Sequence, residues 1–382
     1  MLKKVFTKTK YEACILFFLL MQLIVFAPTK DGMPVWQLLT YLGDYSHGFM
    51  PRAFIGEIIS WFTDSVSSNL LFNLSFTVCV LLSVAAALIG GYLIKNAENK
   101  TAVTAIVAVM VSSPIFMPLM ASWLGITDIY LILLTFIAFV FNENKFLRYL
   151  VPVLALICTA IHHAYLFLYM VPIAIALLYD FFKNKKYIRD GIMCGVTYAS
   201  LIALGLITVK TRSASGFASV DEMTDFMINK AGFSLEKEWL ESLVPNEYFT
   251  RVDYLQQNVT STMSASNLFG IVLIFAPLFV TFAYGWIKSI KQSEDKTERF
   301  IFSLCLIHPL STVPTYIFGL NWNRWTSAII TSQCILYLFM LYRKNKTLSN
   351  TVGQMTEFFK KHFILVVFYL IYFASFAKLL GT

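Results

Sequence analysis

The sequence predicts an all-α, polytopic membrane protein with about eleven transmembrane helices, and three observations carry that prediction. Of 382 residues, 58% are hydrophobic and only 14% charged, against roughly 25% charged in soluble domains. Apolar runs of helix length recur from end to end, without the period-two alternation of a membrane barrel. Lys and Arg cluster in short segments between those runs, as membrane topology requires. The net charge of +8 therefore needs no nucleic-acid partner.

Taken in order, the predicted spans are Tyr11–Ala27, Asn69–Lys95, Thr101–Met120, Ser122–Phe141, Tyr149–Ile161, Ala164–Tyr179, Gly191–Val209, Leu268–Ile287, Phe300–Leu320, Thr326–Tyr342 and Phe363–Leu379. The first follows a basic segment, but Ala27-Pro28-Thr29-Lys30 is a poor cleavage site, so it reads as an uncleaved helix. With a cytoplasmic N-terminus, 21 of the 30 Lys and Arg fall on inner segments. The chain then reads as one integral membrane domain, 1–382. Its first outer loop, 28–68, carries an interfacial helix over Ala53–Phe62. Its long outer loop, 210–267, holds eight of the 22 acids and amphipathic pieces near Val220–Asn229 and Leu235–Leu243. The fifth and sixth spans are short and meet at His162 and His163, which are expected to sit slightly sunken and outward-facing. The six cysteines (Cys14, Cys79, Cys158, Cys194, Cys305, Cys334) lie inside apolar runs and read as packing residues. Asn258-Val259-Thr260 matches a glycosylation triplet that has meaning only in a eukaryotic secretory setting.

This topology sorts the unusual polar residues onto one side. Gly43-Asp44-Tyr45-Ser46-His47-Gly48-Phe49-Met50-Pro51-Arg52 is the densest cluster, with glycines and a proline shaping the turn around an acid, an imidazole and a guanidinium. Trp123 and Asp128, the His162–His163 pair, and Asn321-Trp322-Asn323-Arg324-Trp325 fall on the same boundary. Each has a plain reading beside the functional one. The tryptophans serve as interfacial anchors, Arg324 snorkels, Asp128 caps a helix, the histidines hold a turn, His308 bonds across helices, and Glu57 faces solvent. The functional reading gives Asp44 the role of general base towards a sugar hydroxyl, or of metal ligand. It sets Arg52 and Arg324 on a lipid phosphate, whose paired oxygens suit a guanidinium fork. Asp128 is a further catalytic candidate, and His47, His162, His163 and Asn323 are candidates for substrate binding or proton transfer. Asp44 and Asp128 leave room for a divalent cation such as magnesium or manganese.

The arrangement of Asp44 in the first outer loop, the amphipathic run behind it and Asp128 in the second resembles membrane glycosyltransferases of the GT-C type. Size, composition and the single long outer loop also resemble Wzy-type O-antigen or capsule repeat-unit polymerases, for which Arg52, Arg212, Arg251 and Arg324 are outer-side arginines. The resemblance implies an enzyme of the bacterial inner membrane that transfers a sugar, or polymerises repeat units, from a polyprenyl-phosphate or pyrophosphate donor. It also implies the lipid bilayer and a chain-length regulator as partners. A lipid-linked oligosaccharide flippase or other transporter is the alternative. It would call for charges through the membrane depth and for inverted halves, which the sequence lacks.

Overall fold

A computed structural model describes residues 10–33, 35–50, 52–183, 187–211, 217–237, 265–318 and 322–380. Among them the fold is all-α, and the one β-type pairing is an isolated parallel bridge between Val66 and Ala231. Helix α1 (Lys10–Phe26) is followed by the short α2 (Val35–Leu42) and α3 (Phe54–Ser60), then by the long α4 (Ser68–Asn96) and by α5 (Lys100–Ser112) and α6 (Met117–Ser122). Next come α7 (Asp128–Glu143), α8 (Val151–Ile161), α9 (Tyr165–Leu168), α10 (Met170–Lys183), α11 (Tyr187–Thr211) and α12 (Val220–Lys230). The C-terminal part holds α13 (Ala265–Gln292), α14 (Lys296–Ile307), α15 (Val313–Phe318), α16 (Trp322–Tyr342), α17 (Lys346–Lys361) and α18 (Phe363–Leu380). Side-chain caps start several of them: Ser67 Oγ accepts from Leu70 N, Asn99 Oδ1 from Ala102 N, and Asn345 Oδ1 from Leu348 N. Arg212, Arg251, Asn321, the Asn258 triplet and most of the Leu235–Leu243 piece lie outside the described residues.

The expected eleven crossings are corrected by this structure, and with them the many-span inner-membrane topology. Among the described residues, three helices are long and apolar enough to cross a membrane by length and composition: Ser68–Asn96, the run Lys100–Ser122, and Trp322–Tyr342. The physical reason lies in where the apolar runs break. The predicted sixth span is cut at Tyr169 into α9 and α10, and the ninth is cut at His308-Pro309 into α14 and α15. The fifth is the 11-residue α8, about 16 Å long at 1.5 Å per residue, against a bilayer core of about 30 Å.

Helix α16 makes these breaks tolerable. It is buried along nearly its whole length, and its polar side chains answer carbonyls that the breaks leave open. Leu168 O would normally accept from residue 172, but that residue is Pro172 and has no N–H. Ser332 Oγ donates to it instead, at 2.9 Å. Cys305 O would normally accept from residue 309, which is Pro309, and Gln333 Nε2 donates to it at 2.9 Å. At the bend around Pro114, Leu119 N reaches back to Pro114 O and Met120 N to Phe116 O, which skips Ile115 O. Ser327 Oγ donates to that oxygen. The hydroxyl- and amide-rich sequence of α16 thus matches three gaps in its neighbours, each of which would cost about 1–3 kcal/mol if left unpaired.

Ion pairs separate to the two ends of this bundle. Asp128 at the start of α7 pairs with Arg324 at the start of α16, while Arg343, just past the end of α16, pairs with Glu143 at the end of α7 and with Asp180 on α10. α7 and α16 therefore run in the same direction, joined at both ends, with Phe139 and Phe339 in contact between them, ring centroids 5.7 Å apart. Glu12–Lys95 and Lys183–Asp295, both at 2.5 Å, belong to the end that holds Arg343. The 43–52 turn, Asp128, His162 and Arg324 belong to the other.

Candidate functional site

The 43–52 turn is set by its neighbours. Helix α2 packs beside α3, and a Cβ on Gly56 would overlap the Gly43 carbonyl, so glycine is needed at 56 for this close approach. Gly48 and Arg52 have positive φ, 101° and 68°. For arginine that left-handed conformation is strained, and such strain collects at binding and active sites. Glu57 differs from its expected solvent-facing role. Its carboxylate accepts from Tyr45 N at 2.8 Å and from the Trp61 indole at 2.9 Å, and so fastens the turn to α3.

Asp44 is paired with a residue that sequence reasoning passed over. Its Oδ2 accepts from Lys230 Nζ at 2.5 Å, and its Oδ1 accepts from Ser46 N at 2.9 Å. The Asp44 and Lys230 side chains are 10% and 6% exposed. Burial raises the Asp44 carboxyl, but the hydrogen bonds from Lys230 and Ser46 and the ammonium charge outweigh it and hold the carboxyl below its ordinary value. The same α12 helix brings Phe226 edge-on to His47 at 5.1 Å, while Phe217 stacks on His47 at 4.4 Å. Ser46 Oγ lies 2.9 Å from His47 Nδ1. The predicted amphipathic piece ended one residue short of Lys230. Its apolar face was visible in the sequence, but its partner 186 residues away was not.

A second group lies deeper. Asp128 and Arg324 are 1% and 6% exposed and ion-paired, and Arg324 Nη2 also donates to Thr127 Oγ1 at 3.0 Å. The guanidinium lies over the Trp325 ring, 4.7 Å from its centroid, and Trp325 meets His162 edge-on at 6.3 Å. His162 and His163 stack at 5.0 Å. His162 Nδ1 accepts from Ala164 N at 3.1 Å, which fixes a tautomer with the proton on Nε2. Asp128 Oδ1, Tyr169 Oη, Trp325 Nε1 and Asn323 Oδ1 are buried without a hydrogen-bond partner. Tyr169 lies within reach of both charges of the pair. The two histidines differ from the outward-facing pair expected of them, in that His162 is buried and His163 half-buried.

Arg52 links the groups. Helix α3 packs against α8, and this brings Arg52 near the end of α8, where its charge acts on His162. Burial is the largest influence on that imidazole, followed by the positive charges of Arg52 and Arg324, and together they push its pKa well below 6.5. His162 is therefore neutral at physiological pH, whereas an unfolded histidine takes up a proton as the pH falls below about 6.5. The unfolded chain then binds more protons, so stability is fully present above about pH 6.5 and is lost as the pH falls below it. Unfolding followed between pH 7 and 5 should show this loss, at up to about 1.4 kcal/mol per pH unit, and His162→Gln should flatten it. An equal slope in both proteins would count against a neutral His162.

Among the described residues, no three His, Cys, Asp or Glu side chains converge as metal ligands. Asp44 and Asp128, the two candidate ligands, face Lys230 and Arg324 instead. An open cleft lined by Asn99, Asn350, Gly353, Gln354, Glu357, Phe358 and Lys361 lies at the opposite end of the bundle, beside α17, and takes in none of these groups. Comparison of the chain with protein-family models, with curated proteins and with solved structures finds no match.

Proposed function

We propose that this chain is a glycosyltransferase that takes its sugar from a polyprenyl-phosphate or polyprenyl-pyrophosphate carrier, in the assembly of a bacterial surface polysaccharide such as O-antigen or capsule. The observation that carries the reading is the gathering of Arg52 and Arg324 about a neutral His162, beside the turn that bears an ionised Asp44. Two fixed cations suit a phosphate leaving group, and an ionised carboxylate suits removal of a hydroxyl proton. In the transfer, the acceptor oxygen gives its proton to Asp44 and forms a bond to the anomeric carbon. The bond from that carbon to the phosphate oxygen breaks, and its electron pair stays on the phosphate, facing Arg52. Arg324, with Nε and Nη2 already committed to Asp128 and Thr127, acts through its positive field. His162, kept neutral with its proton on Nε2, can donate to a sugar hydroxyl.

The glycan profile of a strain lacking this chain tests the reading. Loss of the polysaccharide ladder with one repeat unit retained means that the acceptor is a growing chain, the repeat-unit polymerase case. Loss of a side group or of the whole glycan means transfer of a single sugar. An unchanged profile overturns the proposal. At residue level, Arg52→Lys keeps a charge at the strained position but replaces the two-pronged donor by a point charge. Product formation is expected to fall about 10- to 100-fold, as for loss of a good charged hydrogen bond in the transition state. Full activity would show that the fork is not used.

A further inference from the structure

We propose that Lys230 is a substrate-binding residue that exchanges Asp44 for a phosphate oxygen of the lipid carrier, and that α12 is the lid carrying it. The inference rests on the transferase reading for the identity of the phosphate. Its own evidence is the way α12 is seated. Helix α12 and its flanking residues are seated by three contacts of different kinds, two on the 43–52 turn and one on Val66. Lys230 pairs with Asp44 at 2.5 Å, Phe226 and the neighbouring Phe217 enclose His47, and Val66 N donates to Lys230 O at 2.8 Å with Gly232 N returning to Val66 O at 2.9 Å. The lysine ammonium also lies 5.6 Å from the centre of the Phe226 ring. A nearly buried lysine and aspartate lose most of their hydration, and such a pair adds little stability over an apolar one of the same shape. What it offers is exchange. An ammonium leaves a carboxylate readily only when another anion takes it, and a carboxylate freed in this way can accept the hydroxyl proton.

In the closed state, Lys230 Nζ and the Ser46 donors occupy both Asp44 oxygens, which leaves the carboxylate poorly placed to act as a base. When a phosphate enters beside Arg52, Lys230 moves to it, and α12 lifts from the turn. The base is then exposed only when a donor is bound, so its proton acceptor is withheld from idle solvent exchange. No bond is made or broken in this step; one ion pair replaces another.

The test is hydrogen–deuterium exchange on the full chain in micelles, with and without a polyprenyl monophosphate. The lipid should speed exchange of the α12 amides about tenfold in the wild type and change nothing at α12 in Lys230→Met. No response in the wild type overturns the exchange. As a second variant, Ser65→Cys with Gly232→Cys locks the lid, because a Cβ at 232 lies 2.9 Å from Ser65 Oγ, close enough for a disulfide. The oxidised form should lose both the lipid response and sugar transfer, and reduction should restore both. Undiminished transfer by the oxidised form overturns the proposal. A lipid response in a protein whose Asp44→Asn variant makes normal glycan supports the lid and overturns the transferase reading. No lipid response, with glycan lost in Asp44→Asn, overturns the lid alone.

Discussion

Asp44→Asn is expected to lower sugar transfer by about 10²–10⁴-fold, the usual worth of a positioned general base. The amide keeps the size of the side chain and an oxygen that can accept from Ser46 N. It removes the charge that faces Lys230 and the ability to take a proton. The loss should appear in the rate of product formation by purified protein, at protein levels equal to wild type. Because the substitution leaves Lys230 unpaired, Asp44→Asn should also be examined with Lys230→Met. If Asp44 served only to seat α12, the double variant would match Lys230→Met alone. If Asp44 is the base, the double variant falls about 10²-fold or more below Lys230→Met. Near-normal product from Asp44→Asn alone would remove the catalytic assignment.

Breaking the Asp128–Arg324 pair should have the largest effect on folding. Either Asp128→Leu or Arg324→Met alone leaves an uncompensated charge where the partners are 1% and 6% exposed. The expected loss is about 3–5 kcal/mol in reversible unfolding. The double variant Asp128→Leu with Arg324→Met removes both charges and should recover most of that stability. It also separates structure from function. If the field of Arg324 acts on the leaving phosphate, the stable double variant remains impaired in transfer by about 10-fold or more. A double variant that is stable and fully active would make the pair purely structural.

These two residues show how far the sequence could be read. Sorting polar residues by side already put Asp128, His162 and Arg324 on one boundary, and the all-α class followed from the apolar runs. The number of crossings did not. Pro172 and Pro309 lie inside the predicted sixth and ninth spans, and the helices break near both, whereas the run that holds Pro114 still reaches crossing length. A proline in an apolar run can be carried through a helix or can end it, and the neighbour that accepts the freed carbonyl decides which. That neighbour, α16, is far away in the chain. Partner choice was hidden for the same reason. Lys230 with Asp44 and Arg324 with Asp128 are separated by 186 and 196 residues, and composition says which side chains need a partner without saying which partner they find. Glu57 departs from the solvent-facing reading because an acid on an amphipathic run normally faces water; here the 43–52 turn brings the Tyr45 N–H to it, and the Trp61 indole reaches it from four residues further along its own run.

The three carbonyls answered by Ser327, Ser332 and Gln333 also impose an order of assembly. A ribosome completes α6, α9, α10 and α14 before it reaches Trp322. Until then Ile115, Leu168 and Cys305 each carry a peptide oxygen without its final donor. The chain before Trp322, more than four-fifths of its length, therefore remains an unfinished precursor, and α16 acts as the keystone that closes it. A nonsense mutation upstream of residue 322 should yield a fragment open to proteolysis, even though every residue of the 43–52 turn has already been made.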